Sequence, residues 1–346
     1  MDPQLPDQPE TGGELQVQDE EDIHYVSHFF GRTQELNTLQ QWIVQDKCRL
    51  IALLGMGGMG KTSLALKLKE HIHDNFEYVI RRSLKNAPPL SELLGSLLKI
   101  LSKDENIDIP DNINIRIARL INYLSSHRYL LLLDDGEEIL QPRELIGQYR
   151  QGFEDYEKLF RQVGERPHQS CLLLISREKP KIIQSLEDNT RCVKSFQIQG
   201  LDEEAAKEIF KMKGFSGSES RLTELIKLYQ SNPFKLNIVA RTIQELFGGS
   251  VTNFLDQATL DFNDIYNLID TQFQRLSDLE KEIMYSLASA GQPLLLTELR
   301  QQINKKGITD AMKSLTGRGL VEKTEGETHF TLQRIVMKYV NRKLSR

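Results

Sequence analysis

One junction constrains the fold of this chain more than any other segment. The apolar run Leu50-Ile51-Ala52-Leu53-Leu54 leads into Gly55-Met56-Gly57-Gly58-Met59-Gly60-Lys61-Thr62, and Ser63-Leu64-Ala65-Leu66-Lys67-Leu68 follows. Five consecutive apolar residues read as a buried parallel strand, and the following segment reads as the start of a helix. The spacing between them is that of a phosphate-binding loop, G-x-x-x-x-G-K-[ST]. Glycines let the backbone curl so that successive N–H groups converge on one phosphate cluster. The expected phosphate-binding set is Gly55, Gly57, Gly58, Met59, Gly60, Lys61, Thr62 and Ser63. Lys61 can reach the β- and γ-phosphates, and the Thr62 hydroxyl can ligate Mg²⁺. An ordinary glycine-rich turn would match by chance in roughly 1 chain in 100 of this length, and it would not also sit between a strand and a helix N-terminus.

Around this junction the chain reads as α/β. Strands are expected at 50–54, 78–82, 129–133, 171–176 and 193–198, with helices at 64–71, 90–101 and 113–125 between them. Apolar strands alternating with helices imply a parallel sheet covered on both faces. Residues 148–168 are polar and irregular and read as a long surface excursion. Beyond Gly200 the strands stop. Helices are expected at 203–212, 220–229 and 233–247, then at 264–273, 277–290, 297–304 and 309–318. Two alternating segments, 320–323 and 328–332, flank the hairpin signal Glu325-Gly326, and a helix at 334–343 follows. Helices followed by a hairpin describe a winged helix. The expected organisation is an acidic disordered tail (1–28), a nucleotide-binding domain (29–200), a helical domain (201–262) and a winged-helix domain (263–346).

Composition excludes several alternatives. With 346 residues and 39% hydrophobic content the chain can build two or three cores. A net charge of −5 provides no overall basic field for nucleic acid or membrane. Three cysteines, Cys48, Cys171 and Cys192, match no disulfide framework or metal spacing, which fits a reducing cytoplasm. No apolar run reaches membrane-span length, and the acidic N-terminus is no secretory signal.

Two further strand ends carry chemistry. Tyr129-Leu130-Leu131-Leu132-Leu133 ends in Asp134-Asp135, which a parallel strand delivers to the ligand crevice. Asp134 can hold Mg²⁺ with Thr62, and Asp135 can orient or deprotonate an attacking water. Cys171-Leu172-Leu173-Leu174-Ile175 ends in Ser176-Arg177, where a guanidinium can read a γ-phosphate. Lys61, Asp134, Asp135 and Arg177 form the expected catalytic set. Ahead of the first strand, the rings of Phe29-Phe30 in Phe29-Phe30-Gly31-Arg32 can wall an adenine or staple a helix start.

In this order, the motifs resemble the NB-ARC family of STAND nucleotide-dependent switches, which includes plant resistance proteins and apoptosome scaffolds. The resemblance runs from Phe30-Gly31-Arg32 through the phosphate loop, Leu133-Asp134-Asp135, Ser176-Arg177, Gly200-Leu201-Asp202-Glu203-Glu204-Ala205 and Asn232-Pro233-Phe234-Lys235-Leu236. It covers about 29–346. It implies the sheet order 2-3-4-1-5, a helical domain and a winged helix, with ATP/ADP and Mg²⁺ as ligands. It adds Phe30, Arg32, Pro233 and Gln333 to the nucleotide-binding set. Pro233 stands where relatives pack a proline on the adenine, with Ser231-Asn232 in place of Gly-Leu. Leu332-Gln333-Arg334 stands where relatives carry Met-His-Asp, so Gln333 replaces the histidine that meets the ADP β-phosphate. A neutral donor there makes a bond about half as strong as a charged one.

The function this implies is a slow regulatory ATPase that switches domain arrangement, works with sensor or effector proteins and forms an ATP-dependent homo-oligomer. The alternative is an ATP-controlled DNA-binding regulator, with Lys305, Lys306, Lys313 and Arg318 near the recognition helix of the wing. Interleaved Asp310, Glu322, Glu325 and Glu327 weigh against it. A small-molecule kinase would need a second substrate motif. The pairs His24/His28 and His71/His73 read as solvated side chains, and Trp42 as packing.

Overall fold

The computed structural model describes residues 29–104, 106–257, 263–324 and 328–344. The expected acidic tail and the Glu325-Gly326 turn lie outside the described residues. Helix α1 (Thr33–Gln40) leads to strand β1 (Leu50–Leu54). Then come α2 (Lys61–Ile72), β2 (Tyr78–Ser83), α3 (Leu90–Ser102), α4 (Ile113–Ser126) and β3 (Tyr129–Asp134). Next are α5 (Asp155–Glu165), β4 (Cys171–Ser176), α6 (Lys181–Asn189) and β5 (Val193–Gln197). The five strands form one parallel sheet in the order β2-β3-β4-β1-β5.

Successive strand residues point to opposite faces, and both faces here are buried. Ile51 and Leu53 join an apolar cluster with α1 and α2, while Leu50, Ala52 and Leu54 join another with α3 to α6. This two-sided burial is why β1, β3 and β4 are apolar without alternation. All of the strands end at one edge, which collects the phosphate loop, Asp134 and Arg177.

One expectation is corrected. Residues 148–168 are not an irregular excursion, because they contain α5. Tyr156, Leu159, Phe160 and Val163 recur at helical spacing and are fully buried beneath the sheet. The charged residues on the other face of the helix mask that stripe in a simple polarity reading. The surface segment is the shorter stretch before it, tied by a bridge between Leu140 and Tyr149.

A helical region follows: α7 (Glu203–Met212), α8 (Leu222–Leu228), α9 (Pro233–Phe247) and α10 (Val251–Gln257). Helix α9 has matched ends. The Asn232 side chain caps its first turn, Pro233 needs no amide partner there, and Gly248 closes it in the left-handed region at φ 55.

The remaining described elements form a winged-helix-like subdomain. They are α11 (Asn263–Phe273), α12 (Asp278–Ala290), β6 (Leu294–Leu295), α13 (Leu296–Ile303), α14 (Ile308–Gly317), β7 (Val321–Lys323), β8 (His329–Leu332) and α15 (Arg334–Leu344). Strands β6, β8 and β7 form a small antiparallel sheet in that spatial order. The apolar cluster on the α1–α2 face of the main sheet continues through Met56, Met59 and Ile198 into both later regions.

Candidate functional site

The loop between β1 and α2 lies under a cavity of about 800 Å³ at the carboxyl edge of the sheet. Of the sequence-predicted residues, Phe30, Gly57, Gly58, Gly60, Lys61, Thr62, Ser63, Asp134, Asp135, Arg177 and Pro233 line it. Gly55, Met59, Arg32 and Gln333 stand behind the lining.

The glycines are required by what packs on the loop. A Cβ on Gly57 would lie 2.5 Å from Leu268 Cδ1, and one on Gly58, at φ +76, would lie 2.7 Å from Phe234 Cβ. Gly60, in the left-handed region, opens α2 with no side-chain cap. The first-turn amides and the helix dipole therefore face the cavity, the arrangement that binds anions. Lys61 folds back over the loop, donating to the carbonyl oxygens of Gly55 (2.8 Å) and Met56 (3.1 Å). Burial pushes its amine down to about 8, and the carboxylate of Glu137 is the strongest charge opposing that drop.

Thr62 Oγ1 donates to Asp134 Oδ2 at 2.9 Å, and Arg81 Nη2 donates to the same oxygen at 3.2 Å. Burial, then the neighbouring Asp135, push the Asp134 carboxyl up from its ordinary value, against the Asp135 amide, Thr62 and Arg81. Asp135 sits in the left-handed region at φ 57, and its Oδ2 accepts from Ser83 Oγ at 2.9 Å. Thr62 and Asp134 thus offer oxygen donors of the kind Mg²⁺ takes, with Asp135 beside them at the cavity wall.

Arg32 braces the loop from behind. It is buried, donates to Met59 O at 3.1 Å and pairs with Glu35 at 2.7 Å. Gly55 packs against Ile198, where a Cβ would lie 2.3 Å from Cγ2. The Gln333 amide donates to Gly319 O at 2.8 Å and touches Met56 Sδ at 4.0 Å. It therefore reaches the loop through Met56.

Three residues here, Glu137, Glu178 and Arg275, were not singled out by sequence reasoning, and Asn232 entered it only as a departure from the family's motif. Asn232, fully buried, donates to Gly57 O at 3.1 Å while its Oδ1 caps α9. An Asn before a helix-opening Pro signals a cap, but its second bond is invisible in sequence. Glu137, 4% exposed, accepts from Arg177 Nε (2.8 Å) and Arg177 N (2.9 Å). Glu178 Oε1 accepts from Arg275 Nε at 2.6 Å and pairs with Arg318. Arg275 also donates to Glu137 O at 2.8 Å. No local signal marks these pairs, since Glu178 and Arg275 are 97 positions apart.

The winged-helix-like subdomain therefore sits on the loop and on the exit of β4. Its α14 faces inward. Ser314 Oγ accepts from Ile146 N at 3.0 Å, and Arg318 is buried against Glu178, Glu280 and Glu144 O. The expectation that Arg318 can meet DNA phosphates is corrected, because its guanidinium is consumed by internal carboxylates.

Known proteins resemble this chain in sequence and in fold. The family model described as NB-ARC domain matches residues 32–220. An uncharacterized WD repeat-containing protein of Nostoc sp. is 42% identical over 335 residues, 92% of this chain and 26% of that protein. A disease resistance-like protein of Arabidopsis thaliana is 23% identical over 87% of this chain and 24% of its own length. The chain thus spans about a quarter of these relatives. The Walker-type ATPase of Pyrococcus abyssi matches in fold with a TM-score of 0.58, 13% identity, 90% of this chain and 96% of that one.

Proposed function

The chain belongs to the NB-ARC family of P-loop NTPases, and we propose on that premise that it is an ADP/ATP-operated switch whose winged-helix-like subdomain closes over the nucleotide. Its working parts are a nucleotide-binding domain (29–200), a helical domain (201–262) and a winged-helix domain (263–346). The observation that carries this reading is the seating of that subdomain on the phosphate loop, Leu268 against Gly57 and Gly319 with Gln333 against Met56.

The glycine cradle, the uncapped start of α2 and the oxygen pair Thr62–Asp134 fit a nucleoside polyphosphate with Mg²⁺. Lys61 and the loop amides hold the β-phosphate, Phe30 and Pro233 flank the base, and Arg177 reads the third phosphate. Thr62 and Asp134 hold the metal, which neutralises charge on the phosphate oxygens when bound. Asp135, steadied by Ser83, orients the attacking water in a slow hydrolysis that resets the switch.

ADP favours the closed arrangement and ATP favours release. Inverting a 1:99 equilibrium needs about 5.5 kcal/mol of differential binding, and charge-assisted hydrogen bonds contribute roughly 1.5–3 kcal/mol each. Two or three bonds from Lys61 and Arg177 to a third phosphate suffice. Released subdomains then assemble into a homo-oligomer and engage sensor or effector proteins, of which the WD repeats named in the Nostoc relative are one kind. Among the described residues no helix is long and apolar enough to cross a membrane, in keeping with action in the cytoplasm.

The test is to denature the purified protein and chromatograph the released nucleotide, then follow its radius of gyration on exchange for ATP. Stoichiometric ADP with expansion in ATP supports the switch. No bound nucleotide and no binding on titration overturns it.

A further inference from the structure

Glu137 lies where the cavity meets the winged-helix-like subdomain. Its buried carboxylate lines the cavity together with two cations that a third phosphate would meet, Lys61 and Arg177. Oε1 accepts from Arg177 Nε at 2.8 Å, and Oε2 accepts from Arg177 N at 2.9 Å and Ser176 Oγ at 3.3 Å. The carboxylate is thus aimed by three donors on one two-residue segment at the end of β4. Its backbone oxygen accepts from Arg275 Nη2 at 2.8 Å, and Arg275 Nε in turn donates to Glu178. Glu137, Arg177, Glu178 and Arg275 therefore close a ring that joins the cavity wall to the α11–α12 turn of the winged-helix-like subdomain.

From this geometry we infer that Glu137 is a positioning residue that stands in for the third phosphate. It holds Arg177 on its own carboxylate and so biases the site toward the diphosphate. The inference rests on the nucleotide-switch reading above. An incoming γ-phosphate must take Arg177 from Glu137 and tolerate a carboxylate beside it, whereas ADP makes neither demand. The same displacement acts on the segment carrying Glu178, so nucleotide state and the contact with Arg275 change together.

The experiment is calorimetric titration of the full chain with ADP and with a non-hydrolysable ATP analogue, each with Mg²⁺ at fixed salt. The proteins are the unmodified chain, Glu137→Gln, Arg177→Ala and the double variant. Glu137→Gln keeps the shape and the backbone bond to Arg275 but removes the charge. Its expected effect is about a tenfold shift of the affinity ratio toward the triphosphate, roughly one charge-assisted bond discounted for the partial exposure of Arg177. In the Arg177→Ala background that shift should vanish. An unchanged ratio, an equal loss for both nucleotides, or a shift that persists without Arg177 overturns the inference and leaves the switch standing. If the unmodified chain binds neither nucleotide, the switch reading falls and this one with it. Should Glu137→Gln fail to fold, Glu137→Asp retracts the carboxylate and must move the ratio in the same direction by less, and an unmoved ratio refutes the idea equally.

Discussion

Glu178→Gln should open the closed form without unfolding the nucleotide domain. Glu178 is 3% exposed as a side chain, and its partners Arg275 and Arg318 are 10% and 5% exposed. Removing one member of a buried ion pair costs about 3–5 kcal/mol, because the other charge is left uncompensated. The lower end applies here. Arg318 keeps Glu280 and Glu144 O, and Arg275 keeps the carbonyl oxygens of Glu137 and Leu140. About 3 kcal/mol is a little over a hundredfold in the closed–open equilibrium, roughly half of what full inversion needs. The cost falls on the closed form alone, since both arginines regain water when the subdomain lifts. Release of a fluorescent ADP analogue should therefore accelerate strongly, and the radius of gyration of the ADP complex should rise. Added salt should change little, because the network is buried. If Glu178→Gln lowers the melting temperature but leaves ADP release and size at wild-type values, the network only supports the fold and the reasoning fails.

Three other outcomes are expected. ADP affinity should fall as pH rises above about 8, where Lys61 loses its proton, and Lys61→Ala should bind weakly with no such dependence, both read by calorimetry. Asn232→Ala removes a cap worth about 0.5–2 kcal/mol and the buried donor to Gly57 O. It should lower the melting temperature by several degrees, while Asn232→Asp, which keeps the cap and places a carboxylate at the cradle, should lose nucleotide affinity more than stability. Lys235, fully buried with one bond of 3.3 Å to Gln230, is also pushed down to about 8 by burial. The unfolded chain holds more protons on Lys61 and Lys235 between pH 8 and their ordinary value, so nucleotide-free stability should rise with pH there. Lys235→Met should raise the melting temperature at pH 7 and flatten that rise in chemical denaturation.

Local chemistry made the core of the site legible. A glycine-rich loop between an apolar run and a helix start, and carboxylates or arginine at the ends of apolar runs, are patterns whose cause lies within a few residues. Parallel strands then had to bring Asp134 and Arg177 to the loop, since all their carboxyl ends share one edge. Helix α5 was obscured because its apolar stripe is thin and its other face is charged. Asn232 entered only as a departure from the family's motif, and neither its cap on α9 nor its clamp on Gly57 was read from the sequence.

From the sequence alone follow the phosphate loop, the α/β class and the helix-then-hairpin pattern after Gly200, because backbone freedom and hydrophobic period are local properties. Only the tertiary structure decides which buried charges meet. Arg318 turns inward to Glu178 and Glu280, Arg275 holds both Glu137 and Glu178, and Gln333 reaches the loop through Met56. In the sequence those arginines look like any surface cation. Their partners lie 38 to 140 positions away, and only burial of the domain contact makes it costly to leave either charge unpaired.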